Sequence, residues 1–189
     1  MDDLYIELAL NGVNSRGKLY KYNEVDFTAL AKEYGPNNDC YRSVWLYDKE
    51  GYEYSKSNRK MSFFFGKRYI DEIPFDIDAG HDVAKDIYLR LRSNSKIKIF
   101  FSGRGYHFIK QKVIQPGERI IRRVQRHISK IVPGAKIDPT IYRMYSLWRL
   151  PHTINTKTNL YKIPLSEDEL LNLSHKEIIE LAKENRIDG

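Results

Sequence analysis

The residues best suited to chemistry begin with FDIDAG, residues 75–80. In an extended chain alternate side chains point to opposite faces, so Ile73, Phe75 and Ile77 turn toward a core while Asp76 and Asp78 project together on the other side. Like charges held that close repel, and a common reason to keep them together at neutral pH is a hard divalent cation with oxygen ligands. A solvent-facing strand with two incidental aspartates shows the same pattern, so the pair needs support from elsewhere in the chain.

Support comes from FSGRGYHF, residues 101–108. Gly103 and Gly105 flank Arg104 between two apolar runs, and a turn of that kind can aim backbone N–H groups and a guanidinium at a phosphate. Beyond the turn, strand alternation sets His107 opposite Tyr106 and Phe108, where an imidazole can hydrogen-bond a triphosphate. Glycine-bearing hairpins and satisfied structural histidines are also common, and both readings stay open on these residues alone. A third carboxylate, Asp138, precedes Pro139, a pair that by itself signals a turn. In RLPHTINTKTNLYKIPL, residues 149–165, Arg149, Asn155, Lys157 and Lys162 fall among turn formers ahead of a short strand. Such residues suit phosphate or base contacts, and equally an ordinary surface loop.

These side chains need elements to hold them. Asn23 followed by Asp26 reads as a capped helix start, with Phe27, Leu30, Ala31 and Tyr34 at helical spacing until Gly35 and Pro36. Apolar, aromatic-rich runs predict strands at 41–47, 61–65, 73–78, 96–101 and 105–110. Between the third and fourth, Val83, Ala84, Ile87, Tyr88 and Leu91 form one helical stripe. A long helix is predicted over 117–131, with Ile120, Ile121, Val124, Ile128 and Ile131 as its apolar stripe. Its basic residues, Arg119, Arg122, Arg123, Arg126 and Lys130, read first as a solvated side and second as a surface able to track phosphates. SEDE at 166–169 and SHKE at 174–177 each match the reciprocal capping pattern, predicting two short terminal helices.

Composition bounds the function classes. With 189 residues, no internal repeat and no Pro/Gly/Ser-rich linker, one domain over 1–189 is expected. No apolar run approaches the length that crosses a bilayer, so a membrane role is not expected. The opening Met1, Asp2 and Asp3 do not read as a secretory signal, and the expected location is the cytoplasm. A single cysteine, Cys40, cannot form an internal disulfide or a multi-cysteine zinc site, so any metal would sit on oxygen or imidazole. The net charge of +7 attracts polyanions such as nucleic acid or nucleotides, which is permissive rather than specific.

Taken in order, the motifs resemble the archaeo-eukaryotic primase superfamily, which includes the catalytic small subunit of replicative primases and the primase-polymerases. The resemblance runs from about Tyr41 to Leu165. FDIDAG is similar to the family's paired-aspartate strand, SGRGYH to its S-G-x-G-x-H nucleotide motif and Asp138 to its third metal carboxylate. RLPHTINTKT followed by YKIPL resembles its R-L-P-x-S-x-H-x-K-T segment, and YRSVWLY its upstream strand with a basic residue, here Arg42.

The resemblance implies that Asp76, Asp78 and Asp138 hold two Mg²⁺ or Mn²⁺ ions and that Ser102, Arg104 and His107 hold the incoming triphosphate. Arg149 and Lys157 would assist at the phosphates or the growing end, with Arg42 in the same neighbourhood. Asn155 stands where many relatives carry His, and it can hydrogen-bond but cannot be positively charged. The implied architecture is α/β (α+β): a curved, mostly antiparallel sheet with the aspartates on an exposed face, helices packed behind it, a motif-bearing core at about 41–165 and C-terminal helices over 166–189. The implied activity is that of a DNA-dependent primase or primase-polymerase, joining nucleoside triphosphates on a single-stranded DNA template to make primers. A helicase or an accessory primase domain or subunit would be its further partner, and no zinc site is expected. Two other readings compete: a metal-dependent nuclease, which also needs clustered carboxylates, and a non-catalytic nucleic-acid binding module, motivated by the 13% aromatic content and the basic charge.

Overall fold

A computed structural model of the chain describes residues 3–58, 60–92, 96–117, 124 and 138–187. Its strands are β1 (Tyr5–Ala9), β2 (Lys18–Lys21), β3 (Tyr41–Tyr47), β4 (Arg68–Ile77), β5 (Ile97–Phe101), β6 (Tyr106–Pro116), β7 (Leu147–Arg149), β8 (Ile154–Asn155), β9 (Leu160–Tyr161) and β10 (Ile163–Leu165); the runs at 41–47, 73–78, 96–101 and 105–110 account for β3 to β6, whereas β1, β2, β7 and β8 were not predicted. Among the described residues eight of them form one sheet in the order β10-β5-β6-β4-β3-β1-β2, with β7 added beside β3. Every pairing in it is antiparallel. The fold class is therefore mixed α/β built on a large antiparallel sheet, as expected.

The centre of the sheet is the β4–β6 pair, where Phe75 lies opposite Phe108 and Asp76 opposite His107. Directly opposed residues share a face, so this register separates an apolar side from a polar one. On the apolar side Phe75, Ile77, Tyr106 and Phe108 are buried. Against them packs helix α3 (His81–Leu91) through Ala84, Ile87, Tyr88 and Leu91. The Tyr88 and Phe108 rings meet edge-on with centroids 5.9 Å apart. This is the helical stripe read from the sequence, and it covers the back of the strand that carries the aspartates.

The remaining described helices follow their caps. In α1 (Phe27–Tyr34) the cap is Asp26 rather than Asn23: the Asp26 side chain accepts from the Thr28 and Ala29 N–H groups, and Asn23 lies in the preceding 3-10 turn Tyr22–Glu24. Asp48 caps α2 (Lys49–Ser57), whose sparse apolar residues gave no periodic signal. Helices α4 (Glu167–Asn172) and α5 (His175–Leu181) each start with a complete reciprocal capping box, from Ser166 with Glu169 and from Ser174 with Glu177.

One predicted strand is corrected. Residues 61–65 do not extend; Met61–Phe63 form a single 3-10 turn. Met61 and Phe64 are buried while Phe63 and Phe65 are exposed. A contiguous apolar run carries no period of its own, and the three-residue spacing of Met61 and Phe64 matches the 3-10 repeat rather than strand alternation. The helix predicted over 117–131, with its basic residues Arg119, Arg122, Arg123, Arg126 and Lys130, lies outside the described residues except for Gly117 and Val124. No helix among the described residues is long and apolar enough to cross a membrane.

Candidate active site

On the polar side of the sheet the β4–β6 register sets Asp76 beside His107, with His107 Nε2 3.4 Å from Asp76 Oδ1. The His107 ring stacks on Trp148 with centroids 4.0 Å apart and planes 27° apart. Burial pushes the imidazole pKa well below its ordinary value, and the charges of Lys162 and Arg149 add to the effect. His107 is therefore neutral, and its Nδ1 has no hydrogen-bond partner among the described residues.

Lys162 lies fully buried next to this pair. Its Nζ donates to the Arg149 carbonyl at 2.6 Å and sits 4.6 Å from the Trp148 ring centre and 5.0 Å from that of Phe100. The rings take up part of the work of solvating a cation. Burial, and then the charge of Arg149, still lowers the lysine pKa well below its usual value.

Of the three aspartates read from the sequence, Asp76 and Asp78 respond to neighbouring carboxylates. The Asp138 N–H donates to the Asp76 carbonyl at 3.0 Å, joining two stretches far apart in the chain. Burial first, and then the charge of Asp138, raises the Asp76 pKa against Lys162 and Arg149. Asp78, exposed just past the end of β4, is raised by desolvation, then by Asp76 and Asp138, with Arg104 opposing. The Asp138 carboxylate itself is engaged locally: it accepts from Thr140 N at 2.8 Å and from Thr140 Oγ1 at 2.6 Å, capping the 3-10 turn Pro139–Tyr142. Consistent with that, no three histidine, cysteine or carboxylate side chains among the described residues are grouped closely enough to hold a metal ion. The donor chemistry suits a hard divalent cation, since crowded carboxylates lose their mutual repulsion to it. Each Asp138 oxygen accepts one bond from Thr140 and keeps a lone pair with which it could meet such an ion.

The glycine-bracketed turn is pressed onto the end of β4. Ser102 Oγ donates to the Gly105 carbonyl at 3.1 Å and accepts from the Gly105 N–H at 3.2 Å, so its hydroxyl closes the turn. Gly103 has φ +84°, which costs glycine little. A Cβ on Gly105 would stand 2.6 Å from the Ile77 carbonyl oxygen, so only glycine permits this approach. The exposed Arg104 is thereby carried to the mouth of a cleft of about 570 Å³ whose lining includes Asp78, Gly80, His81 and His175.

The other cations predicted for the site behave differently from Arg104. Arg149 is buried; its guanidinium donates to the Ser102 carbonyl and to Asp39 at 3.4 Å. Asp39 also accepts from the Thr156 N–H at 3.2 Å and from the Thr156 hydroxyl. Asn155 Nδ2 donates to the Ser102 carbonyl at 3.5 Å, while its Oδ1 accepts from the Lys157 N–H at 3.1 Å. Arg149 and Asn155 thus brace the turn from behind, and Lys157 stands exposed in the loop joining β8 and β9. Arg42 is not brought to this group. It is buried between β3 and β4, 2.7 Å from Asp71 and 3.4 Å from Glu72, with the Tyr22 and Phe27 rings against its guanidinium.

Sequence reasoning missed Trp148, Asp39 and the pair His81 and His175. The first two act through contacts distant in sequence and left no local pattern. His175 sat inside the capping motif SHKE, which accounts for Ser174 and Glu177 and is silent about the residue between them.

No family model matches the chain, and no curated protein matches it. Among solved structures it is similar to a chain described as the polymerase domain from Mycobacterium tuberculosis Ligase D in complex with DNA, with 14% identity and a TM-score of 0.48. The similarity covers 76% of this chain and 58% of that one, less than two thirds of its length.

Proposed function

We propose that the protein is a metal-dependent nucleotidyltransferase of the primase or primase-polymerase type, acting on nucleoside triphosphates along a single-stranded DNA template. The observation that carries this reading is the backbone bond that joins Asp138 to Asp76, with Asp78 two residues along the chain, beside a turn that presents Arg104 to a cleft. Asp76, Asp78 and Asp138 would hold Mg²⁺ or Mn²⁺. Such ions lower the pKa of an attacking 3′-hydroxyl and neutralise charge on a leaving pyrophosphate.

The protein's own residues do the positioning. Neutral His107, fixed by stacking on Trp148, keeps Asp76 in place without adding a competing positive charge. Arg104 is the cation placed to meet the triphosphate, and Ser102, Asn155 and Arg149 hold the turn that aims it. Lys157 faces solvent, where phosphates of the template or growing strand can reach it.

The test is incubation with an unprimed single-stranded template, Mg²⁺ or Mn²⁺, and ribo- or deoxynucleotides, followed by sizing of the products. The wild type is expected to form metal-dependent products, and the Asp76→Ala/Asp78→Ala variant none, with its circular dichroism intact. Products from a folded double variant would defeat the proposal. Template cleavage without any use of triphosphates would put the nuclease reading in its place.

A further inference from the structure

One short loop carries side chains that neither the core nor the candidate site uses. Met61 and Phe64 anchor the segment MSFFFG, residues 61–66, and both are buried. The Phe64 ring meets that of Tyr47 edge-on with centroids 5.8 Å apart, and that of Tyr54 at 5.4 Å. A Cβ on Gly66 would run into the Phe64 ring, so the chain turns back closely over it. Phe64 itself has extended dihedrals, φ −80° and ψ 114°, and in an extended chain the two neighbours of a residue point away from it. Phe63 and Phe65 are therefore turned outward together, 70% and 75% exposed.

Lone apolar residues on a surface are ordinary. Here two rings share one side of a loop fixed by buried anchors, and together they leave roughly 300 Å² uncovered, taking about 200 Å² for a whole phenylalanine. A patch of that size on a monomer is often a binding surface. Its chain neighbours are cationic: from Tyr54 to Ile70 the sequence holds Lys56, Arg59, Lys60, Lys67 and Arg68 and no acidic residue. Lys56 is engaged with Glu53, and Arg68 is buried with its guanidinium 5.3 Å from the Trp45 ring centre. Lys60 and Lys67 stand exposed, one before the two rings and one after them.

We propose that Phe63 and Phe65 form a stacking platform for the bases of single-stranded DNA, with Lys60 and Lys67 meeting its phosphates. Every base has a π face and every nucleotide a phosphate, so rings flanked by lysines hold a strand without reading its sequence. That this strand is the template rests on the nucleotidyltransferase reading. The loop leads directly into β4, which carries Asp76 near its other end. Arg68 and Asp76 are about 26 Å apart along the strand at roughly 3.3 Å per residue. At a rise of about 3.4 Å per nucleotide, some eight nucleotides (~8) cover that length. The platform is thus a strand contact separate from the cleft at Arg104. An anionic membrane also attracts exposed phenylalanines and lysines, and it is the competing occupant.

The experiment is fluorescence anisotropy of the intact chain with a labelled single strand of about 20 nucleotides, long enough to reach from loop to aspartates. A chelator is present, and a second strand of equal length is abasic, keeping the phosphates without the bases. Phe63→Ala/Phe65→Ala is expected to bind the normal strand roughly tenfold more weakly and the abasic strand as the wild type does. Phe63→Trp/Phe65→Trp should keep wild-type affinity, and Phe63→Leu/Phe65→Leu, apolar without a π face, should not. Lys60→Ala/Lys67→Ala should make the slope of log affinity against log salt shallower by about 0.7 per lysine, while the phenylalanine variants leave it unchanged. Both rings are exposed, so all variants should melt with the wild type; if the alanine pair unfolds, the Trp and Leu pairs decide alone. Equal losses on the normal and abasic strands, full rescue by leucine, or an unchanged salt slope in the lysine variant would overturn the platform. So would loss of binding to phosphatidylserine vesicles in the alanine pair while its strand binding stays intact. If nucleotide incorporation fails while the base-dependent loss stands, the platform survives without the polymerase reading. If incorporation succeeds and the alanine pair binds the strand normally, this assignment alone falls.

Discussion

Asp76 is held where its charge is unwelcome: burial and Asp138 both raise its pKa in the folded state. The unfolded chain has no such penalty, so the folded state binds the proton more tightly in the window above the ordinary carboxylate value of about 3.9. Stability is therefore lost as the pH rises through that window and stays reduced above it. Asp76→Asn removes the charge, keeps the shape, and is expected to raise the melting temperature at neutral pH by about 2–4 °C, the shift that ~1 kcal/mol makes in a chain of this size. The same variant should form no nucleotide products. Added Mg²⁺ or Mn²⁺ should raise the melting temperature of the wild type and leave that of the variant unchanged, since only a native-state site transmits binding to stability. A variant that melts lower than the wild type would show that the carboxylate is paired rather than strained. Gly105 makes a second prediction at this scale. Because a Cβ there meets the Ile77 carbonyl oxygen at 2.6 Å, Gly105→Ala should lose about 1–3 kcal/mol by urea denaturation, as overpacked sites do. It should also carry Arg104 away from Asp78 and depress incorporation with it.

At the scale of elements, the parts of the fold legible in the sequence were those written in short-range patterns. Asp26, Ser166 with Glu169, and Ser174 with Glu177 marked helix starts because a cap is made within three residues. Asp76 on β4 and the SGRGYH turn were legible because alternation and glycine placement are local properties, whereas Asp78 falls just past the end of the strand. What was hidden depends on distant partners. The strand YIELA was missed because Glu7 interrupts it, yet Glu7 is fully buried against Arg16, with Nη2 2.7 Å from Oε2. Arg42, Arg104 and Arg149 look alike in sequence; only the third dimension sends the first to Asp71, the second to the cleft and the last to Asp39. Arg42 then tests whether this sorting is right. Its guanidinium joins β3 to β4 as a buried ion pair, and removing one partner leaves Asp71 facing the Tyr22 hydroxyl without a counter-charge. Arg42→Ala should cost about 3–5 kcal/mol in denaturant unfolding. Any folded fraction should bind triphosphate with unchanged affinity, and selective loss of triphosphate binding at full stability would return Arg42 to the site.

At the scale of the whole molecule the question is how a net charge of +7 meets a polyanion. The sheet arranges the candidate site so that its buried cations, Lys162 and Arg149, are consumed internally by carbonyls, aromatic rings and Asp39. They cannot release counterions from DNA, because a group already desolvated and paired contacts no phosphate. Exposed cations can, and Lys157 in the loop between β8 and β9 is one of them, on the side braced against the turn that carries Arg104. Each phosphate contact to a single strand contributes about −0.7 to the slope of log affinity against log salt. Lys157→Ala is accordingly expected to weaken binding of a single-stranded oligonucleotide and to make that slope shallower by about 0.7, measured by fluorescence anisotropy over a salt series. Lys162→Met should leave the slope untouched although it removes the same formal charge. An equal change in slope for both variants would mean that binding follows net charge alone. That outcome, especially with binding indifferent to divalent metal, is what a non-catalytic nucleic-acid binding module would produce.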